Sequence, residues 1–262
     1  MKADFFWVDA FTRRLFGGNP AAVIPLEAWV SDALMQQIAS ENNLPMSAFL
    51  VRTAAQRWHI RWFNSSGEVS LCGHATLAAG HVLLDVLEQS DRRVEFDSRG
   101  GPLAVTRGED VLELDFPANV PVAEPEAPRQ LSNALRVTPR EWLRWENYHL
   151  AVVDSAEEVL EASPDFSAWS SIGDERVILS APGEDCDFVS RFFAPGIGLP
   201  EDSVTGSAHC VLVPYWARRL GRQKLRARQL SRRGGELFCE LRGERVMLGG
   251  HCALYLRGQI EM

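Results

Sequence analysis

The sequence has no paired cysteines, no basic surplus and no long apolar run. Its five cysteines, Cys72, Cys186, Cys210, Cys239 and Cys252, are scattered and form no CxxC pair. That removes a disulfide framework and a zinc ribbon. Acids outnumber bases 35 to 27, for a net charge of −8 and a pI near 5.3. A phosphate-backbone partner would require a basic face, and the short runs Arg218-Arg219 and Arg232-Arg233 have acids nearby and read as solvated surface. No stretch approaches the roughly 18 apolar residues of a membrane span. Residues Met1 to Phe11 lack the basic head and apolar run of a signal peptide. A Walker loop, a GxGxxG opening a βαβ unit and an HExxH helix are also missing. The expectation is a soluble, cytoplasmic chain with reduced thiols, no metal, no cofactor, and no nucleic-acid or membrane partner.

What is present is a globular composition, 46% hydrophobic and 24% charged over 262 residues, enough for one large domain or two of about 130 residues. The chain is also duplicated. Arg61-Trp62-Phe63, Glu68, Gly73-His74-Ala75, Arg99-Gly100-Gly101 and Arg107-Gly108-Glu109 are followed, in the same order, by Arg191-Phe192-Phe193, Glu201, Gly206-Ser207-Ala208, Arg233-Gly234-Gly235 and Arg242-Gly243-Glu244. From the glutamate onwards the offsets run from 133 to 135 residues, and near-constant spacing over several matches marks an internal repeat.

Local signals fit a repeated unit. Asp4 to Phe11, His59 to Phe63 and Val111 to Phe116 read as strands, and Ser31 N-caps a helix to about Asn42. A helix is predicted from His74 to about Leu87, followed by a hairpin of Val94–Asp97 and Leu103–Thr106 around Arg99-Gly100-Gly101. The second half predicts a strand at Val189–Phe193, a helix from Ser207 to Leu220 C-capped by Gly221, and strands around Gly234-Gly235 and Gly243. Pro117 to Pro125, with three prolines in nine residues, reads as a linker. The expected domains are 1–117 and 118–262, the last strand being able to return to the first half. The expected class is α+β: two mixed sheets, each wrapped around a helix, packed about a shared cleft.

Chemistry concentrates at the repeated loops. A helix N-terminus presents unsatisfied N–H groups and partial positive charge to a carboxylate or phosphate, and Gly73 and Gly206 let a ligand approach the backbone. Glu68 and His74 flank one loop; Glu201, Asp202 and Ser207 flank the other. An acid and a base within reach of one substrate would move a proton, and a histidine is readily tuned across neutral pH. Ser207 lacks the GxSxG surround of a nucleophile elbow. Cys72-x-His74, His209-Cys210 and His251-Cys252 lack the spacing of a zinc set.

Phe16-Gly17-Gly18-Asn19-Pro20-Ala21-Ala22-Val23, Leu71-Cys72-Gly73-His74-Ala75-Thr76-Leu77-Ala78 and Glu201-Asp202-Ser203-Val204-Thr205-Gly206-Ser207-Ala208 resemble the three signatures of the PhzF-like isomerase family. The resemblance implies a diaminopimelate-epimerase-like fold with halves related by a pseudo-twofold axis, cofactor-independent isomerisation of a small carboxylate between them, and often a homodimer. It places His74, Asp202 and Ser207 on active-site positions, Gly73 and Gly206 at the substrate carboxylate, and Asn19 among the substrate-binding residues. The family's named activity shifts a double bond in a dihydro-hydroxyanthranilate on the phenazine pathway. The chain departs from the pattern at Pro45-Met46-Ser47-Ala48-Phe49, where the family's proton-shuttling glutamate falls on Met46. The alternative implied by that thioether is an anion-binding relative without isomerase activity.

Overall fold

The structure, a computed structural model, describes residues 2–90, 92–124 and 129–262. The chain divides into two compact units. Unit 1 comprises residues 1–115 and 249–262, and unit 2 residues 116–248.

Unit 1 opens with β1 (Lys2–Ala10), which ends where Phe11 adopts a left-handed φ of 62°. After β2 (Asn19–Leu26), α1 (Asp32–Asn42) starts at Ser31, whose Oγ accepts from the Leu34 N–H at 3.3 Å. Strands β3 (Met46–Ala54), β4 (Arg57–Asn64) and the short β5 (Gly67–Val69) lead into α2 (Gly73–His81). The helix predicted to Leu87 has two parts, because Val82–Val86 continues as a π-helical turn. The turn is closed by the Leu87 N–H to Val82 C=O bond of 2.8 Å. The hairpin of β6 (Arg93–Asp97) and β7 (Leu103–Arg107) is antiparallel as expected, and β8 (Leu112–Pro117) pairs with β7.

The sheet curls round α2, which touches β1, β2, β3 and β7. Seven of its nine residues, His74 through Gly80, are buried. A helix covered on most sides has little amphipathic character, and this one is built mainly of small and apolar residues, with His74 and Thr76 buried among them. At Gly80 the approach to β7 is so close that a Cβ would lie 2.4–2.7 Å from three Val105 side-chain atoms. On the other face of the sheet α1 lays Met35 and Ala39 against Phe5, Ile24, Phe49 and Phe63. Each buried side chain of that size contributes about 1.5–3 kcal/mol.

Unit 2 runs β9 (Val122–Ala123), α3 (Arg129–Leu135), β10 (Glu141–Trp145), β11 (Tyr148–Val152), α4 (Ala156–Glu161), α5 (Phe166–Ser170), β12 (Arg176–Pro182), β13 (Phe188–Ala194) and β14 (Leu199–Asp202). Then come α6 (Gly206–Leu220), β15 (Lys224–Gln229), β16 (Gly235–Arg242) and β17 (Arg245–Gly250). Gly221 C-caps α6 at φ 66° as expected. The predicted linker is not one. Within it β9 pairs with β10, Ala118 N–H bonds Glu244 C=O at 2.9 Å, and Asn119 N–H bonds Cys210 C=O at 2.9 Å. Pro117 closes β8 and Pro121 directly precedes β9, strand ends where a missing donor costs little. Pro125 lies outside the described residues.

The duplication extends well beyond the sequence matches. In unit 1, β2 and β3 pair parallel, β3 and β4 antiparallel, β4 takes β5 antiparallel and β6 parallel, and β6 pairs antiparallel with β7. In unit 2, β11, β12, β13, β14, β15 and β16 repeat those senses in the same order. The chain ends in β18 (Cys252–Glu261), which pairs antiparallel with β1 from Lys2↔Glu261 to Ala10↔Cys252. No helix of the described residues is long and apolar enough to cross a membrane.

Candidate active site

The repeated Arg-x-Phe and Glu motifs build the same support in each unit. In unit 1 the Arg61 guanidinium donates two 2.8 Å bonds to the two Glu68 oxygens and lies 5.2 Å over the Phe63 ring. In unit 2 Arg191 forks onto Glu201 at 2.7 and 2.9 Å and lies 4.9 Å over Phe193. Glu68 and Glu201, grouped by sequence with the ionisable groups of the loops, are therefore committed to ion pairs that brace the strand before each helix. The Arg61 bond holds the Glu68 carboxyl below the usual carboxylate range, and Arg99 adds a 2.7 Å contact. Bidentate charge-assisted pairs of this kind are the strong ones. Glu68→Gln is expected to lower stability by about 1–3 kcal/mol, read as a shift in the urea midpoint at neutral pH. Because the folded pKa is depressed, this contribution is complete above the ordinary carboxylate range and lost in acid, so wild type and variant should converge there.

In unit 1 the loop ends at Cys72, an extended N-cap (φ −148°, ψ 107°), and α2 begins at Gly73 with no side chain capping it. The Thr76 hydroxyl instead turns back to the Cys72 carbonyl at 2.6 Å. His74 is 8% exposed, and burial pulls its pKa down to about 4. Burial thus favours the uncharged imidazole at neutral pH. Its Nδ1 lies 3.4 Å from the Cys72 sulfur. Among the described residues no metal-sized cluster of His, Cys, Asp or Glu gathers here or elsewhere. Met46 opens β3 opposite Ala21 and is 8% exposed; Asn19 opens β2 opposite Ala10 and is fully buried.

Unit 2 repeats the helix start with different side chains. Thr205 is an extended N-cap (φ −119°, ψ 102°), again without a side-chain cap, and α6 begins at Gly206. His209 takes the position of Thr76, 133 residues on, and its Nδ1 donates to the Thr205 carbonyl at 2.8 Å. Asp202 is held in place: Oδ2 accepts from the Thr205 hydroxyl at 2.7 Å and Oδ1 from the Ser203 N–H at 2.9 Å. Gln229 fixes the turn from β15, accepting from the Thr205 N–H at 2.8 Å and donating to the Asp202 carbonyl at 2.8 Å. Ser207 is exposed, and its Oγ accepts from the Tyr148 hydroxyl at 3.1 Å. That hydroxyl in turn accepts from Arg176 at 2.8 Å.

Of the residues singled out by sequence, Gly73 and His74 thus share one helix start, and Asp202, Gly206 and Ser207 share the other. Both helices begin at the glycine, one residue earlier than predicted. Sequence reasoning missed Gln229, Tyr148 and Arg176, which reach the α6 start through strand register. It also missed the pairing of Thr76 with His209, although their spacing of 133 was visible.

Two α+β units of one strand order, each opening a helix at an uncapped glycine beside titratable side chains, define an epimerase-like fold. Over residues 8–258 the chain matches the family described as phenazine biosynthesis-like protein. The chain belongs to that PhzF family. It is 50% identical over 262 residues to an uncharacterized isomerase of Pseudomonas aeruginosa, covering 100% of both chains. It is 36% identical to phenazine biosynthesis-like domain-containing protein 1 of Mus musculus, covering 99% of each. A crystal structure of a PhzF family phenazine biosynthesis protein from Enterococcus faecalis superposes with a TM-score of 0.95 at 42% identity over 100% of both chains. The fold is shared with a hydroxyproline epimerase of Agrobacterium vitis at a TM-score of 0.63 and 9% identity, over 99% of this chain and 92% of that one.

Proposed function

We propose that the chain is a cofactor-independent isomerase or epimerase that moves a proton on a small carboxylate substrate. The observation that carries this reading is the pair of matching helix starts, Cys72-Gly73-His74 and Thr205-Gly206-Ser207, neither capped by a side chain. Uncapped N–H groups at a helix start suit a carboxylate. Asp202, fixed by Thr205, Ser203 and Gln229, is the base in this reading, and Ser207 hydrogen-bonds the substrate. The isomerase names of relatives spanning the whole chain support it.

The test is loss of C–H signal by NMR in deuterated water, over a panel of small aliphatic and aromatic carboxylates with an acidic C–H bond. Wild type should exchange at least one of them. Asp202→Asn should lower that rate by about 10²–10⁴-fold while carboxylate binding, read by calorimetry, persists. Binding without exchange in wild type would favour the second reading, an anion-binding protein without turnover, for which Met46 is the observation.

A further inference from the structure

We propose that Tyr148 and Arg176 are positioning residues that make Ser207 a one-way hydrogen-bond donor, so that the α6 start accepts a carboxylate oxygen and turns away an amide or ammonium N–H. This rests on the isomerase reading above and deepens it to the chemical class of the group bound there.

All three residues belong to unit 2, and the protons between them can be counted. A guanidinium donates and never accepts, so the 2.8 Å contact from Arg176 makes the Tyr148 hydroxyl oxygen an acceptor. The phenol then has one proton to give. Tyr148 is 7% exposed, and a polar group so covered is ordinarily satisfied; it donates to Ser207 Oγ at 3.1 Å. With its oxygen engaged by Tyr148, the exposed Ser207 hydroxyl is left with its own proton to offer. The charged donor at the head of this chain polarises the bonds that follow. The Arg176 guanidinium also lies 5.0 Å from the centroid of the Tyr148 ring, and Phe192 packs 6.0 Å from it, which holds the phenol in place.

Strand register supplies a second observation. Leu179 pairs with Arg191 as Phe49 pairs with Arg61, and Ala151 pairs with Leu179 as Ile24 pairs with Phe49. Three residues back along both strands, the pair Tyr148↔Arg176 of unit 2 therefore answers to Ala21↔Met46 of unit 1. Ser207 likewise answers to His74, 133 residues earlier. The two repeat positions that the sequence marks beside the unit 1 helix start are thus Arg176 and Ser207 in unit 2. There Tyr148 joins them, at the place where unit 1 has Ala21.

Two measurements decide the matter. The first needs no ligand. The chain has three tyrosines, so the Tyr148 hydroxyl proton is followed by NMR of protein labelled with carbon-13 at the tyrosine Cζ, with Tyr148→Phe for assignment. Its exchange with water should be about tenfold faster in Ser207→Ala than in wild type. Equal exchange rates in the two proteins would overturn the proposal. The second is calorimetry with benzoate and propionate and with their primary amides. Wild type should bind the acids about tenfold more tightly than the amides. Tyr148→Phe keeps the ring but frees the Ser207 hydroxyl to accept as well as donate, so it should bring acid and amide close to parity. Arg176→Met should lower the preference, and Arg176→Lys, which keeps a charged donor, should retain most of it. A merely structural loss would weaken acid and amide alike. An acid-to-amide ratio within twofold of wild type in Tyr148→Phe would end the proposal and leave the isomerase reading standing. If wild type binds neither acid at millimolar concentration, the carboxylate reading fails, and the relay is judged on its exchange rates alone.

Discussion

Met46→Glu is expected to raise isomerisation of the phenazine-pathway dihydro-hydroxyanthranilate by about two to four orders of magnitude over wild type. Such a reaction needs a group that is basic in one step and acidic in the next, and a positioned acid/base is worth about 10²–10⁴ in rate. The resemblance places that group at position 46, where a thioether now opens β3 at 8% exposure. A glutamate there would be largely covered, so desolvation would raise its pKa toward neutrality, which is where a shuttling base works best. The same burial will cost stability, so the variant should melt lower than wild type while turning over faster. Product formation followed by NMR in deuterated water checks the rate. Equal rates for the two proteins would mean that position 46 does not face the substrate and that the alignment of Pro45-Met46-Ser47 with the family loop is wrong.

The second large effect concerns acid. His74 and His209 are both enclosed, with pKa values lowered from an ordinary 6.5 to about 4 by burial. The unfolded chain therefore binds protons at these positions between about pH 6.5 and 4 that the folded chain refuses. Stability rises with pH wherever the unfolded state binds more protons. The contribution of each neutral histidine is complete above about pH 6.5, falls as the pH drops, and levels off below about 4. A tenfold difference in proton affinity between the folded and unfolded chain corresponds to about 1.4 kcal/mol, so each histidine should cost about 2–3 kcal/mol by pH 4.5. Urea midpoints measured from pH 7 to 4.5 should fall accordingly. His209→Gln, which keeps a donor for the Thr205 carbonyl but cannot charge, should remove roughly half of the slope. The window separates this effect from the braced carboxylates such as Glu68, whose pKa is already low and whose loss comes at more acidic pH. An unchanged slope in His209→Gln would show that the ring is hydrated in solution.

How much of this was legible in the chain depends on what kind of signal each part leaves. The strand, loop and helix around each glycine were readable because Arg61 and Arg191, Glu68 and Glu201, and Gly73 and Gly206 recur at nearly fixed spacing. The structural meaning of those residues was not readable. Whether a glutamate is a free base or half of an Arg fork depends on a cross-strand register, here Phe63↔Glu68 and Phe193↔Glu201. Strands β2 and β3 left little trace, since residues 19–24 and 46–50 are buried without alternation, as parallel strands covered on both faces are. The prolines from Pro117 onward suggested a linker because composition does not separate a loop from the ends of short strands. In the site, the identity of the loops was legible, but the state of His74 was not. Its neutrality comes from strands that are distant in sequence yet close round α2, and Gln229 reaches Asp202 from 27 residues away. The Cys72–His74 contact joins residues two apart across an N-cap, where the backbone turns from extended to helical.

The pairing of β1 with β18 has a consequence for how the protein is made. Residues 252–261 pair with the side of β1 that β2 leaves open, whereas unit 2 is a single uninterrupted stretch, 116–248. At a synthesis rate of roughly 5–20 residues per second, β1 waits on the order of tens of seconds for its partner to leave the ribosome. Unit 2 is complete before that. Strand β1 is therefore made before unit 2 but receives this partner only after unit 2 is complete. Until then its exposed edge is the part of the nascent chain most in need of a chaperone.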